Sequence, residues 1–116
     1  MREIKAHLVS GDERVRILVL DEPGAGGANH AYRIRLGSDA IEIRFQNGPI
    51  KEAGVNGVTH EALAAILIDR LQSFQAGPFA CRENAVALEK FDEALMWLQK
   101  RTRDRIARNV EGENKQ

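Results

Sequence analysis

The sequence predicts an α+β fold, in which a small N-terminal antiparallel β-sheet is followed by a C-terminal antiparallel two-helix hairpin. Before residue 46, apolar and charged residues alternate with period two, as in strands with one exposed face. After residue 59, apolar residues recur every three or four positions, which is the spacing of one helix face. We expect one domain of 116 residues, with a sheet region (1–49), a connector (50–58), a helical hairpin (59–110) and a flexible tail (111–116).

The sheet region should contain three or four strands. An apolar run at 15–20 predicts one strand, which ends at a Pro-Gly turn signal. Alternating residues at 32–36 and 41–45 predict two more, joined by a hairpin turn at Gly37-Ser38-Asp39. Similar alternation at 4–8 indicates a further strand, so the region is expected to form a meander.

Two helices are predicted after the connector. Thr59 is a suitable N-cap for the first, and Glu61 in its first turn would complement the helix dipole. This helix is apolar around much of its circumference and must therefore be covered on more than one side. Gly77-Pro78 is expected to end it and to start the second helix, because Gly suits a C-cap and Pro a first turn. The apolar stripe of the second helix consists of Leu88, Phe91, Leu95 and Leu98.

The composition excludes several classes of function. The 17 basic residues are balanced by 17 acidic ones, which argues against a dedicated nucleic-acid binder. No apolar run is long enough to span a bilayer, and no signal-like segment follows the N-terminus. Cys81 is the only cysteine, so no internal disulfide forms, and we expect it to be a small buried residue. The expected location is the reducing cytoplasm, without a membrane partner.

No catalytic, metal or cofactor site is expected from the residue pattern. His7, His30 and His60 are scattered, and none has metal-ligand spacing to another histidine or to cysteine. The glycines between 24 and 27 lead toward a strand and lack the Gly-Lys-Ser/Thr of a phosphate loop, so they predict a flexible hairpin loop. A binding function is therefore favoured over an enzymatic one.

The residues that remain are suited to binding a nucleotide, although each also has a structural interpretation. Arg101, Arg105 and Arg108 follow one stripe of the second helix, where they could bind phosphate or form a solvated helix end. Phe74, at the end of the first helix, could stack on a base or fill a corner of the hairpin. Asn84 could contact a base edge or cap the second helix. The residue pattern alone leaves these alternatives open.

Four segments between residues 45 and 105 resemble the Thoeris anti-defence family of phage proteins. The hairpin also resembles the related anti-CBASS proteins, which share the Arg-Glu-Asn/Lys opening and a Glu-Ala-x-Met-Trp segment. The N-terminal strands fit the Thoeris branch better. The segments are Phe45-Gln46-Asn47-Gly48-Pro49-Ile50-Lys51-Glu52, Gly54-Val55-Asn56-Gly57-Val58-Thr59, Gly77-Pro78-Phe79-Ala80-Cys81-Arg82-Glu83-Asn84, and Glu93-Ala94-Leu95-Met96-Trp97-Leu98 with Arg101-Thr102-Arg103-Asp104-Arg105.

This resemblance implies a non-enzymatic sponge that sequesters immune signals in the infected bacterial cell. The signals implied are glycocyclic ADP-ribose, which is held without being cleaved, and also cyclic di- and trinucleotides. The implied assembly is a homodimer that forms a hexamer as a trimer of dimers, with ligands between protomers. Two other interpretations compete with it: a small phage nucleic-acid-binding or regulatory protein, whose arginine stripe would contact backbone phosphates, and an enzyme that degrades the signal.

The resemblance also implies a role for individual residues of the hairpin. Phe74 would stack on the adenine, with the amide of Asn84 nearby. A second pocket, for trinucleotides, is assigned to Arg82 and Glu83. Asn109 stands where the family has an acidic residue, which puts a ribose contact at that position in question. The phosphate-binding residues implied are Arg101 and Arg105, with Arg108 as a helper.

Overall fold

Strands and helices are segregated along the chain. The computed structural model describes residues 1–11 and 14–108. The strands lie in one compact unit, Met1–Val58, and the two long helices lie in a second unit that begins at Thr59. The α+β class predicted from the sequence is confirmed. The flexible tail expected at 111–116 and the position of Asn109 lie outside the described residues.

The sheet is a four-stranded antiparallel meander with the strand order β1-β2-β3-β4. Each strand pairs with the next one along the chain, as expected where strands are joined by short hairpin connections. Gly37 adopts a left-handed φ of 63° in the two-residue turn between the last two strands. The strands are β1 (Arg2–Ile4), β2 (Val15–Val19), β3 (Ala31–Leu36) and β4 (Asp39–Arg44).

The register of the strands separates an apolar face of the sheet from a charged one. Ile17 pairs with Ile34, which in turn pairs with Ile41 on the same face. On the other face, the guanidinium of Arg33 donates to the carboxylate of Glu42 at 2.7 Å. This hydrogen bond lowers the pKa of the Glu42 carboxyl below its usual range. The period-two pattern in the sequence therefore corresponds to a real division between the two faces.

The structure corrects the predicted strands at both ends of the sheet region. β1 ends at Ile4, so Ala6 and Leu8 lie outside it, in a turn and beyond. Phe45 lies just after β4 and forms a parallel bridge with Val58 instead of extending the strand. Its ring contacts that of Tyr32 edge-on, with centroids 5.6 Å apart. Alternation of residue types fails at these ends because it does not detect where pairing with a neighbour stops.

The connector contains a short helix, α1 (Ile50–Ala53), in addition to the predicted turns. A network of amide side chains holds the segments on either side of α1 together. The Gln46 side chain donates to the carbonyls of Gly48 (3.0 Å) and Gly54 (2.7 Å). The Asn56 side chain donates to the Asn47 carbonyl and accepts from the Asn47 N–H, both at 2.7 Å. The polar connector is thus a defined structure.

The helical hairpin consists of α2 (His60–Gln75) and α3 (Arg82–Ala107). Thr59 is the N-cap of α2, as predicted, and its hydroxyl accepts from the N–H of Ala62 at 3.1 Å. At the open end of the hairpin, the Thr102 hydroxyl donates to the Glu61 carboxylate at 3.3 Å. The first turn of α2 therefore lies beside the last third of α3. No helix in the part of the chain that the structure describes is long and apolar enough to cross a membrane.

The prediction that α3 starts at Pro78 is wrong, because the tip of the hairpin is fixed differently. The Gln75 side chain accepts from the Cys81 N–H at 3.1 Å and donates to the Cys81 carbonyl at 3.0 Å. Cys81 has an extended backbone (φ −152°, ψ 163°) and is the N-cap, so the helix begins at Arg82. The burial expected for Cys81 is also wrong, since this residue is exposed at the tip.

The two helices pack through one side of each. Ala64 and Ile68 of α2 are buried, and the predicted apolar stripe of α3 is half-buried along its length. Two other apolar residues of α2, Ile66 and Leu67, are 63% and 43% exposed. The described part of the chain thus covers one side of this helix and leaves apolar side chains on another.

We predict that Gly57→Ala destabilises the sheet unit. A Cβ at Gly57 would lie 2.5 Å from the Phe45 carbonyl oxygen and 2.6 Å from that of Arg44, so the backbone would have to move. We expect a loss of about 1–3 kcal/mol in the free energy of unfolding, measured by urea unfolding. Gly77→Ala is the control, since its Cβ would meet only ordinary contacts at 3.6 and 3.8 Å. Equal stability of the two variants would contradict the prediction.

Candidate functional site

The second half of α3 carries a basic surface depression of about 370 Å³, which we call the arginine pocket. The stripe predicted from the sequence is present, because Arg101, Arg105 and Arg108 all line this pocket. Trp97, one turn before Arg101, forms its aromatic end. The lining residues are Trp97, Lys100, Arg101, Asp104, Arg105 and Arg108.

The arginine pocket has a net positive charge. Four of its lining residues are cationic and one, Asp104, is acidic. The ammonium of Lys100 forms an i,i+4 ion pair with the Asp104 carboxylate at 2.7 Å, so this acid is balanced within the pocket. Three of the four cations are guanidinium groups, whose planar forks of donors match phosphate oxygens. The pocket is chemically suited to a phosphate-bearing ligand.

A second depression, of about 590 Å³, lies at the tip of the hairpin, and we call it the aromatic groove. Phe74 and Phe79 line it, and these rings are 37% and 74% exposed. The guanidinium carbon of Arg70 lies 5.0 Å from the centroid of the Phe74 ring. A cation at this distance holds an aromatic ring by a cation–π interaction. Phe74 thus presents an accessible ring in a defined position, as stacking on a flat base would require.

The other candidate residues lie at the start of α3, outside both depressions. Asn84 is half-buried in the first turn, and Cys81 is the N-cap, so the amide is not the helix cap. Its side chain forms no hydrogen bond with the residues that the structure describes. Arg82 and Glu83 are exposed at the tip. The capping role considered for Asn84 is therefore wrong, and its role in ligand binding stays a prediction.

The candidate residues form two groups at opposite ends of the hairpin. Asn84 and Arg101 are 17 residues apart on one helix, so about 25 Å separates them at 1.5 Å per residue. Glu61 of α2 lies beside Thr102 of α3, because their side chains are hydrogen-bonded. Phe74 lies 13 residues after Glu61, so it is about 20 Å along the hairpin from Thr102 and the neighbouring Arg101. A single chain therefore does not bring Phe74 and Asn84 together with the arginine pocket around one compact ligand.

The described residues offer no candidate metal centre. No group of three or more histidine, cysteine or carboxylate side chains within 1–11 and 14–108 is arranged to hold an ion. His30 illustrates how the histidines are used, because its ring nitrogen lies 2.9 Å from the Ala25 carbonyl oxygen in a loop. The arginine pocket and the aromatic groove remain the features suited to a ligand.

Comparison with known proteins places this hairpin in a family. The family model described as Acb2/Tad1, hairpin domain, matches residues 38–103, more than half of the chain. The chain belongs to the Acb2/Tad1 hairpin family. A protein of Bacillus phage SBSphiJ7 named Thoeris anti-defense 1 is 48% identical to the chain over 90 residues. That alignment covers 77% of this chain but only 63% of the phage protein, which is less than two thirds of its length.

The family match confirms the resemblance that the sequence showed to Thoeris anti-defence and anti-CBASS proteins. The region matched by the Acb2/Tad1 model contains Phe74, Asn84 and Arg101, whereas Arg105 and Arg108 lie C-terminal to it. Two residues beside these positions were missed in the sequence. Arg70 and Trp97 lie one turn before Phe74 and Arg101, respectively, so the i,i+4 spacing could have indicated both.

We predict that Gln75→Ala destabilises the tip of this Acb2/Tad1 hairpin. The substitution removes both hydrogen bonds to the Cys81 backbone. We expect the free energy of unfolding to fall by about 1 kcal/mol, measured by urea unfolding followed by circular dichroism. Gln72→Ala is a matched control on the same helix, since the Gln72 side chain bonds no described residue. A loss no greater than that of the control would show that these bonds do not fix the tip.

Proposed function

We propose that the protein is a phage anti-defence sponge that sequesters cyclic nucleotide immune signals without cleaving them. Glycocyclic ADP-ribose is the first ligand proposed, followed by cyclic di- and trinucleotides. The observation that carries the proposal is the arginine pocket, with its cluster of guanidinium groups, in a hairpin of the Acb2/Tad1 family. The name of the similar phage protein, Thoeris anti-defense 1, supports the biological role.

The chemistry of the two depressions supports a nucleotide as the ligand. Cyclic nucleotides combine negatively charged phosphates with flat bases. Arg101 and Arg105 would bind the phosphates through bidentate hydrogen bonds, with Arg108 as a helper. Phe74 would stack on the adenine, and the Asn84 amide would contact it from the first turn of α3. These are the roles that the family resemblance implies, and the placement of the side chains is compatible with each of them.

We propose that each binding site is shared between two copies of the chain. About 20–25 Å along the hairpin separates Phe74 and Asn84 from Arg101, further than a compact two-nucleotide ring can span. An antiparallel arrangement of two copies would bring the aromatic groove of one to the arginine pocket of the other. A dimer of this kind has two equivalent sites by symmetry. Assembly of three dimers would give the proposed hexamer.

The exposed apolar surface of the helices supports an assembly larger than a monomer. Among the described residues only Val19, Ala31, Ala64 and Ile68 are buried apolar side chains. Such a small core stabilises a single chain weakly, and a ligand held between subunits would stabilise the oligomer by mass action. Large apolar side chains remain exposed on both helices, namely Ile66, Leu67, Met96 and Ile106.

The second proposed pocket, for cyclic trinucleotides, lies at the tip of the hairpin. Arg82 and Glu83 are exposed there, in the first turn of α3. The Arg82 guanidinium would bind a phosphate, and the Glu83 carboxylate would accept a hydrogen bond from a hydroxyl or amino group.

We propose that the protein acts in the cytoplasm of the host cell. A sponge is expected to release its ligand chemically unchanged when it is denatured. Heat denaturation of the complex followed by mass spectrometry of the supernatant tests this directly. Recovery of intact glycocyclic ADP-ribose supports sequestration, whereas recovery of fragments would make the protein an enzyme that degrades the signal.

We predict that Phe74→Ala and Arg105→Ala each weaken binding of glycocyclic ADP-ribose by about fivefold to a hundredfold. Phe74→Ala loses a stacking surface worth about 1–3 kcal/mol, and Arg105→Ala loses charge-assisted hydrogen bonds of similar strength. Isothermal titration calorimetry measures the effect. Arg103→Ala is the matched control, since Arg103 is exposed on the same helix but does not line the arginine pocket.

Wild-type affinity in both variants, with native circular dichroism, would show that the site is elsewhere. Tight binding of duplex DNA that weakens steeply with salt, without binding of any cyclic nucleotide, would instead support the nucleic-acid interpretation.

We also predict that the two defective variants restore binding when they are mixed. A shared site takes Phe74 from one copy and Arg105 from the other. In a random equimolar mixture of Phe74→Ala and Arg105→Ala chains, both of these residues are therefore intact in about a quarter of the sites. Titration of a co-refolded equimolar mixture should therefore reveal about a quarter of the wild-type sites at wild-type affinity. A site within one chain always carries one of the two substitutions, so the absence of high-affinity sites would contradict the shared arrangement.

A further inference from the structure

Trp97 is an exposed aromatic residue that the packing of the hairpin does not use. Its side chain is 59% exposed, whereas the residues of α3 that face α2, including Leu95 and Leu98, are half-buried. An indole has a large apolar surface, and burying it would stabilise the folded protein. The position of Trp97 therefore calls for an explanation other than the fold of the hairpin.

The surroundings of Trp97 favour a charged ligand over a second protein surface. Trp97 lines the same depression as four cationic side chains and one acidic one. Arg101 follows it by one turn and lines the same depression. The centre of a protein interface is depleted of charge, whereas a ring of cations around an aromatic face is the usual composition of a nucleotide-binding surface.

We propose that Trp97 stacks on the second base of a ligand that carries two bases. This inference rests on the proposed function and adds a specificity-determining residue to the same site. With Phe74 of one subunit stacked on one base and the arginines of the other holding the phosphates, a second base of a cyclic dinucleotide would lie against the indole. A ligand with one adenine would use Phe74 and the arginines, and would gain little from Trp97.

The test uses two substitutions and two ligands. Trp97→Leu should weaken binding of cyclic di-AMP about tenfold, because it removes a stacking surface but keeps an apolar side chain. Trp97→Phe should retain most of the affinity, since it keeps an aromatic ring. Binding of glycocyclic ADP-ribose, which has a single adenine, should fall by a clearly smaller factor than binding of cyclic di-AMP in Trp97→Leu. Calorimetry provides the affinities.

Fluorescence provides an independent readout at the residue itself. The sequence contains a single tryptophan, so the intrinsic emission reports Trp97 alone. Saturating cyclic di-AMP should quench this emission strongly by stacking, whereas inorganic pyrophosphate, which has phosphates but no base, should change it little.

The possible outcomes separate the inference from the proposed function. If wild type binds cyclic di-AMP without quenching and Trp97→Leu binds equally well, Trp97 is not a base-stacking residue although the sponge function stands. The same conclusion follows if glycocyclic ADP-ribose binds and cyclic di-AMP does not, or if Trp97→Leu weakens both equally. If diluting the protein without ligand dissociates the oligomer and changes the Trp97 emission at the same time, Trp97 belongs to a subunit interface. Failure of every cyclic nucleotide to bind wild type would overturn both proposals.

Discussion

The length of one uninterrupted helix fixes the distance between the two groups of candidate residues. α3 extends from Arg82 to Ala107, and it packs against a much shorter partner, α2, which spans His60–Gln75. The antiparallel pairing fixes the hairpin tip at one end and the arginine pocket at the other. Because a helix rises 1.5 Å per residue whatever its sequence, Phe74 and Asn84 are kept apart from the arginine pocket within one chain. The proposed sharing of the site between copies follows from this separation.

The same hairpin explains why assembly and ligand capture would be coupled. α2 and α3 bury one stripe each, which leaves apolar residues such as Ile66 and Met96 in contact with water. A second copy that covers part of this surface would also complete the binding site. Ligand binding at such a boundary favours the assembled state, so affinity and oligomeric stability would rise together. A sponge benefits from this coupling, because slow dissociation of the assembly also slows release of the signal.

Local spacing allowed much of the fold to be predicted, and contacts between distant residues limited the rest. The Thr59 cap, the strand pairing around Ile34 and the arginine stripe follow from patterns within a few residues. The start of α3 was predicted wrongly at Pro78, because the Gln75 side chain holds Cys81 extended and delays the helix. Asn84 was left with two possible roles until the position of the cap was known. The separation of Phe74 from Arg101 requires the bounds of both helices, which no motif supplies.

Calorimetric titration of the wild-type protein with glycocyclic ADP-ribose, with cyclic di- and trinucleotides in parallel, is the direct test of the sponge function. A sponge should bind at least one of these ligands with sub-micromolar affinity at one site per chain, in an assembly heavier than the 12.9 kDa monomer, and the ligand should be recovered intact. Failure of the folded protein to bind any of them would show that it is not a sponge for these signals, and the arginine pocket would then have to serve a different anion.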